Sequence, residues 1–230
     1  MLFRSPGAVT EDTADIAFAL MLAACRRLVH GDNHLRAGRW DGVRIDEPLA
    51  GVSVWGSTIG IVGLGQIGRA VARRARGFGM QVLYHNRNRQ VDAETEFNAT
   101  YCPDFTELLA QSDVVSLHCP LTPATHHLID RAALSQMKST AVLVNTARGP
   151  VVDESALIEC LRSGGIFAAG LDVYEQEPKV PPELMALENV VLAPHLGTAT
   201  RNARDAMGMR VIANIEAFLS TGFPGDQVTV

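Results

Sequence analysis

Short apolar runs alternate along the chain with longer segments of helical character, and most runs end in polar residues or glycine. Ile59, Ile61 and Val62 form one such run, apolar and β-branched as a buried parallel strand requires. Further strands are predicted at Met80–Tyr84, Ala99–Cys102, Asp113–Leu117, Ala141–Asn145, Ile166–Leu171 and Val190–Ala193. Between them fall helices that include Arg69–Arg76, Asp104–Gln111 and Asp130–Met137. Another is capped by Asp153, carries Leu157 and Leu161 one turn apart, and closes at Gly164-Gly165; Thr200–Ser220 is the last. Strand–helix alternation of this kind predicts an α/β fold with a doubly wound parallel sheet.

The front of the chain departs from that rhythm. Residues 1–9 read as a loop punctuated by Pro6-Gly7. Thr10 can cap a helix, with Glu11 and Asp12 set favourably against its dipole. From Ala14 to Leu28 that helix is apolar almost all round, which predicts cover from a second subunit or from a missing piece of the same chain. A homodimer is the expected way to supply it. Gly31 to Ala50 reads as an irregular, solvated arm anchored by Trp40. The expected division is therefore 1–50 for the first helix and arm, 51–199 for the sheet domain, and 200–230 for the C-terminal helix.

Composition narrows the function. Hydrophobic residues make up 47% and charged residues 20%, as in an ordinary globular protein, and the net charge of −5 offers no footprint for nucleic acid. The longest apolar stretch, Ile16–Cys25, is shorter than the about 20 residues that span a bilayer, so no membrane partner is expected. Cys25, Cys102, Cys119 and Cys160 form no C-x-x-C pair and no metal-ligand spacing; they suit a reducing, cytoplasmic setting as small buried hydrophobes, and no metal site is expected.

Gly63, Gly65 and Gly68 form G-x-G-x-x-G between a predicted strand and a predicted helix. The first glycine permits the tight turn, the second admits a pyrophosphate, and the third lets the helix pack closely on its strand. In such sheets ligands bind beyond the carboxyl ends of the strands. The residues expected along a dinucleotide are Gly63, Gly65, Gln66, Ile67, Gly68, Asn86, Arg87, Arg89, Cys119, Pro120, Thr125, Thr146, Ala147, Arg148, Asp172, His195 and Gly197. About 20 residues beyond the glycines, where a carboxylate would bond the ribose 2′-hydroxyl of NAD, stands Asn86-Arg87-Asn88-Arg89. Two guanidinium groups there can hold a 2′-phosphate, which predicts NADPH over NADH; the bland reading makes both arginines part of a solvated loop.

Three further residues carry candidate chemistry. His195 follows a strand, and Glu177 lies in the loop after another. A histidine paired with a carboxylate makes a proton donor with a fixed tautomer, and Arg148 at its strand end can grip a substrate carboxylate and polarise a neighbouring carbonyl. Spacing alone does not separate His195 from His118, His126 and His127.

Five segments in fixed order resolve this: the glycine motif to Gly68, His118-Cys-Pro-Leu-Thr-Pro123, Asn145-Thr-Ala-Arg-Gly149, Gly170-Leu-Asp-Val-Tyr-Glu-Gln-Glu-Pro178 and Pro194-His-Leu-Gly-Thr-Ala-Thr200. Together they resemble the D-isomer-specific 2-hydroxyacid dehydrogenases, most closely the glyoxylate/hydroxypyruvate reductase branch. The resemblance implies hydride transfer between a nicotinamide and C2 of a small 2-oxo acid, with Arg148 on the substrate, His195 as acid/base, Glu177 orienting it, and Asp172 on the cofactor side. Asn86-Arg87 resembles the NADP-preferring members. Family members begin with a flavodoxin-like lobe that is not seen here, so the expectation is a truncated form that binds NADPH and turns over poorly. A non-catalytic dinucleotide-binding module, like the corepressors that share the fold, is the alternative.

Overall fold

The computed structural model of the protein describes residues 7, 9–43 and 49–227. The expectations for residues 1–6, 8, 44–48 and 228–230 lie outside the described residues. In chain order the helices are α1 (Thr10–Cys25), α2 (Leu28–Arg36), α3 (Gln66–Gly77), α4 (Val91–Phe97), α5 (Phe105–Gln111), α6 (Arg131–Gln136), α7 (Glu154–Arg162), α8 (Pro182–Met185) and α9 (Arg201–Thr221). The strands are β1 (Thr58–Val62), β2 (Gln81–His85), β3 (Ala99–Tyr101), β4 (Val114–Leu117), β5 (Val142–Asn145), β6 (Ala168–Leu171) and β7 (Val190–Leu192). They form one parallel sheet in the order β3-β2-β1-β4-β5-β6-β7, the doubly wound arrangement that the alternation predicts.

Successive strand residues point to opposite faces, and in the central strands both faces are buried, so these strands are mainly apolar, with Ser116 and Asn145 their buried polar residues. Ile59, Ile61, Val82, Tyr84, Val114, Val142 and Val144 pack with α1 and α3. Val62, Leu83, Val115, Leu117, Leu143 and Ala169 pack with α5, α6 and α7. Asp104, Asp130, Asp153 and Thr200 cap their helices through side-chain oxygens that accept backbone N–H groups.

The front of the chain corrects the sequence reading. Val9, not Thr10, stands at the N-cap of α1, and the cap uses no side chain. Thr10 already lies in the first turn, its hydroxyl 3.4 Å from Gln66 Oε1. α1 buries nine of its 16 residues, and their cover comes from this chain: the helix lies against α3 and across β5, β6 and β7. The crossovers after β4 place α6 and α7 on the opposite face, leaving this half of the sheet for α1 to close. The homodimer inferred from an uncovered helix therefore loses its basis. Residues 31–36 are helical rather than irregular, because the chain resumes as α2 after Arg27 adopts a left-handed φ of 50°. α2 buries none of its residues, so no apolar stripe announces it.

The far end is different. Along α9 only Ala203 and Asn214 are buried, and Met209, Ile212, Ile215, Phe218 and Leu219 are exposed. Among the described residues, no helix is long and apolar enough to cross a membrane.

Candidate functional site

The strand order reverses between β1 and β4, and the loops leaving β1, β2 and β4 meet beyond their carboxyl ends. After Val62 the chain turns through Gly63, whose φ of +98° and neighbours exclude a side chain: a Cβ would stand 2.6 Å from Cys119 N. Gly68 is closed in the same way, its Cβ position 2.2 Å from Gly63 O, so α3 sits tight against the turn. At Gly65 a Cβ would meet nothing within 4 Å. The unpaired amides at the start of α3 therefore look into open space. Gln66 directs its Oε1 to the start of α1, where Gly7 N donates to it at 3.2 Å, while Ile67 is half-buried.

A cavity of about 470 Å³ continues from Gly63 past Asn86, Arg87, Cys119, Pro120 and Thr125. Leu64 N donates to Asn86 Oδ1 at 2.7 Å, which fixes that amide and leaves its Nδ2 hydrogens to donate elsewhere. Arg87 makes no ion pair among the described residues. Arg89 does, and this corrects the picture of two free guanidinium groups: its Nε and Nη2 donate to the two carboxylate oxygens of Glu94, each at 2.7 Å. Glu94 comes from α4, a helix the sequence reading did not predict. Thr125 spends its hydroxyl inside its own turn, donating to Pro120 O at 2.6 Å.

At the end of β5 the buried Asn145 folds the next turn. Its Nδ2 donates to Arg148 O and its Oδ1 accepts from Ala147 N, each at 3.0 Å. The sequence motif alone assigns Asn145 no role; a polar residue closing an otherwise apolar strand is the sequence signal of its positioning role. The turn leaves Arg148 exposed and Thr146 Oγ1 buried with no hydrogen-bond partner.

At the end of β6, Asp172 is 1% exposed, and its carboxylate accepts from Leu196 N at 2.6 Å and Gly197 N at 2.8 Å. Burial pushes its carboxyl up, and the two N–H donors pull against that. The clamp holds His195 at a φ of +55°, a left-handed conformation uncommon outside glycine. Asp172→Ala strands both amides, so it should lower the unfolding free energy by about 1–3 kcal/mol. Denaturant titration checks this, and unchanged stability would refute the clamp.

So held, His195 meets Glu177, with Nδ1 2.9 Å from Glu177 Oε2. Glu177 Oε1 accepts from Tyr174 N at 3.1 Å. Burial pushes the Glu177 carboxyl up, but the His195 hydrogen bond, the Tyr174 amide and the charge of Arg148 outweigh it and hold the group below its ordinary value. An ionised carboxylate only accepts, so Nδ1 carries the proton and Nε2 points outward. The other histidines are engaged elsewhere. The half-buried His118 meets Ser116 Oγ at 2.8 Å, and loss of hydration pulls it down to about 4. His127 Nε2 donates to Glu175 Oε1 at 2.5 Å, and His126 stacks on it. A larger open groove of about 730 Å³, between α7 and residues 175–183, includes none of the glycine turn, Arg148 or His195.

An open glycine turn at the reversal point of a parallel sheet, with a histidine–carboxylate pair on the same edge, defines the dinucleotide-binding domain of an oxidoreductase. Residues 18–197 match the family described as D-isomer specific 2-hydroxyacid dehydrogenase, NAD binding domain. Over 98% of its length the chain is 48% identical to a glyoxylate reductase of Thermococcus litoralis and 50% identical to one of Korarchaeum cryptofilum. It spans 69% and 68% of those two proteins. A crystal structure of an NADPH-dependent glyoxylate/hydroxypyruvate reductase from Sinorhizobium meliloti, in complex with NADP and malonate, superposes with a TM-score of 0.89 at 38% identity, covering 97% of this chain and 69% of that one. The chain belongs to the D-isomer-specific 2-hydroxyacid dehydrogenase family.

Proposed function

We propose that the protein reduces small 2-oxo acids with NADPH, glyoxylate to glycolate and hydroxypyruvate to its D-2-hydroxy acid. The observation that carries this reading is the 2.9 Å pair of His195 and Glu177, close enough to Arg148 for its charge to act on the carboxylate. The residues present fit a dinucleotide. The open space over Gly65 suits a pyrophosphate against the α3 amides, and the unpartnered Thr146 Oγ1 offers a hydrogen bond farther along the edge. Asn86 Nδ2 and Arg87 would take the ribose 2′-phosphate, with Cys119 and Pro120 forming the opposite wall. The relative from Sinorhizobium meliloti, described with NADP, supports that choice.

When bound, the dinucleotide supplies a hydride. Arg148 grips the substrate carboxylate in a fork and draws electron density from the adjacent carbonyl. Glu177 holds the Nδ1 proton of His195, so Nε2 faces the substrate and gives its proton to the carbonyl oxygen as C2 is reduced. A solvent proton then restores the imidazolium. In the described chain the His195 side chain is 49% exposed, so water competes at the reacting centre. The 230-residue chain by itself therefore turns over slowly, because positioning and exclusion of water supply much of the barrier lowering.

Spectrophotometric loss of NADPH tests the reading. Slow consumption should begin when either acid is added, with achiral glycolate formed from glyoxylate and the D-hydroxy acid formed from hydroxypyruvate on chiral chromatography. No consumption at high protein concentration, with NADPH bound, would overturn it in favour of an interaction module. Rates matching those of the longer relatives would overturn the slow turnover alone.

A further inference from the structure

Arg89 should strengthen the 2′-phosphate subsite, yet it is held away from it. Its guanidinium makes the bidentate pair with Glu94, and Glu94 is itself fixed. The buried Tyr84 donates its hydroxyl to Glu94 Oε1 at 2.6 Å, and Gln90 N donates to the Tyr84 oxygen at 2.8 Å. Arg69 secures the same loop through Asp92 at 2.8 Å and Gln90 Oε1 at 3.1 Å. Glu94 is only 17% exposed, whereas Arg89 is 60% exposed, so the acceptor is the built part and the arginine the solvent-facing one. The cavity beside Gly63 is accordingly lined by Asn86, Arg87, Asn88 and Gln90 but not by Arg89.

We propose that Glu94 sets the strength of the 2′-phosphate subsite: it neutralises Arg89 and holds it back, leaving Arg87 alone to face the phosphate. This rests on the dinucleotide reading above. The pair contributes no net charge to the edge; with a neutral residue at position 94, a guanidinium two residues from Arg87 joins the same field and can bond the same phosphate. NADH lacks that phosphate and gains much less. The restraint persists across the working pH range, because the Arg89 and Tyr84 hydrogen bonds hold the Glu94 carboxyl at about 2.

Calorimetric titration of the full chain with NADPH, NADH, 2′-phospho-ADP-ribose and ADP-ribose reads this without turnover. In Glu94→Gln, which keeps an acceptor for Tyr84, the NADPH-to-NADH affinity ratio rises about three- to tenfold, and the gain shrinks with added salt. Glu94→Thr, a second variant without the carboxylate, shifts the ratio in the same direction. Adding Arg89→Met to Glu94→Gln returns it to within about twofold of the parent, because only the freed guanidinium carried the gain. An unchanged or lowered ratio in both single variants overturns the proposal, as does a gain that survives loss of Arg89. Arg87→Met separates the two levels. If it weakens 2′-phospho-ADP-ribose but Glu94→Gln strengthens nothing, the dinucleotide reading stands and the role of Glu94 falls; if it changes nothing, the subsite falls and the inference with it.

Discussion

His195→Asn lowers the rate of 2-oxo acid reduction by about 10²–10⁴-fold while NADPH affinity stays within about twofold. Asparagine is the informative replacement because position 195 sits at a φ of +55°, which asparagine tolerates better than most residues. The main-chain bonds that Asp172 makes to residues 196 and 197 survive, so the loop keeps its shape. What disappears is a group able to hold a proton against Glu177 and release it from the opposite nitrogen. Stopped-flow or steady-state loss of NADPH, beside a binding titration, separates the two effects. Residual activity within about fivefold of the parent would remove His195 from proton transfer, since general acid catalysis contributes far more than that.

The second large effect separates two glycines of one motif. Gly65→Ala should fold with its thermal stability nearly intact, because the added methyl meets nothing within 4 Å. Yet it projects into the space proposed for the pyrophosphate, and a hundredfold loss of NADPH affinity, about 2.7 kcal/mol, is the expected scale. Gly63→Ala does the reverse. Its φ of +98° strains an alanine, and the methyl would press on Cys119 N, 2.6 Å away. Backbone strain alone is worth about 1–3 kcal/mol, so the melting temperature falls before binding is considered. Thermal melts and cofactor titration of both variants check the pair. Undiminished NADPH binding by Gly65→Ala would end the case for a phosphate at this turn.

The contrast shows how far a sequence pattern reaches. Three glycines at fixed spacing announce a turn between strand and helix, and their separate duties follow from local backbone geometry. The strand ends were legible for the same reason: buried parallel strands are mainly apolar, so the polar residues after each run mark the edge where ligands bind in such sheets. Asn86, Thr146, Asp172 and His195 all emerged that way. The state of each side chain did not. Arg87 and Arg89 look alike in sequence, and only the arrival of Glu94 from α4, with buried Tyr84 behind it, commits one and leaves the other. Likewise, His127 and His195 each face a glutamate, and two residues along one loop decide which histidine meets Glu175 and which meets Glu177.

The sequence by itself determined the strands, the main crossover helices, their parallel packing and the edge proposed for the chemistry, because these depend on periodicity, capping and steric allowance within a few residues. Only the tertiary structure decided what covers α1, which arginine is uncommitted and which carboxylate turns His195. Each of those depends on groups separated along the chain and brought together by the sheet, where distance and burial set the strength of charge and hydrogen bond.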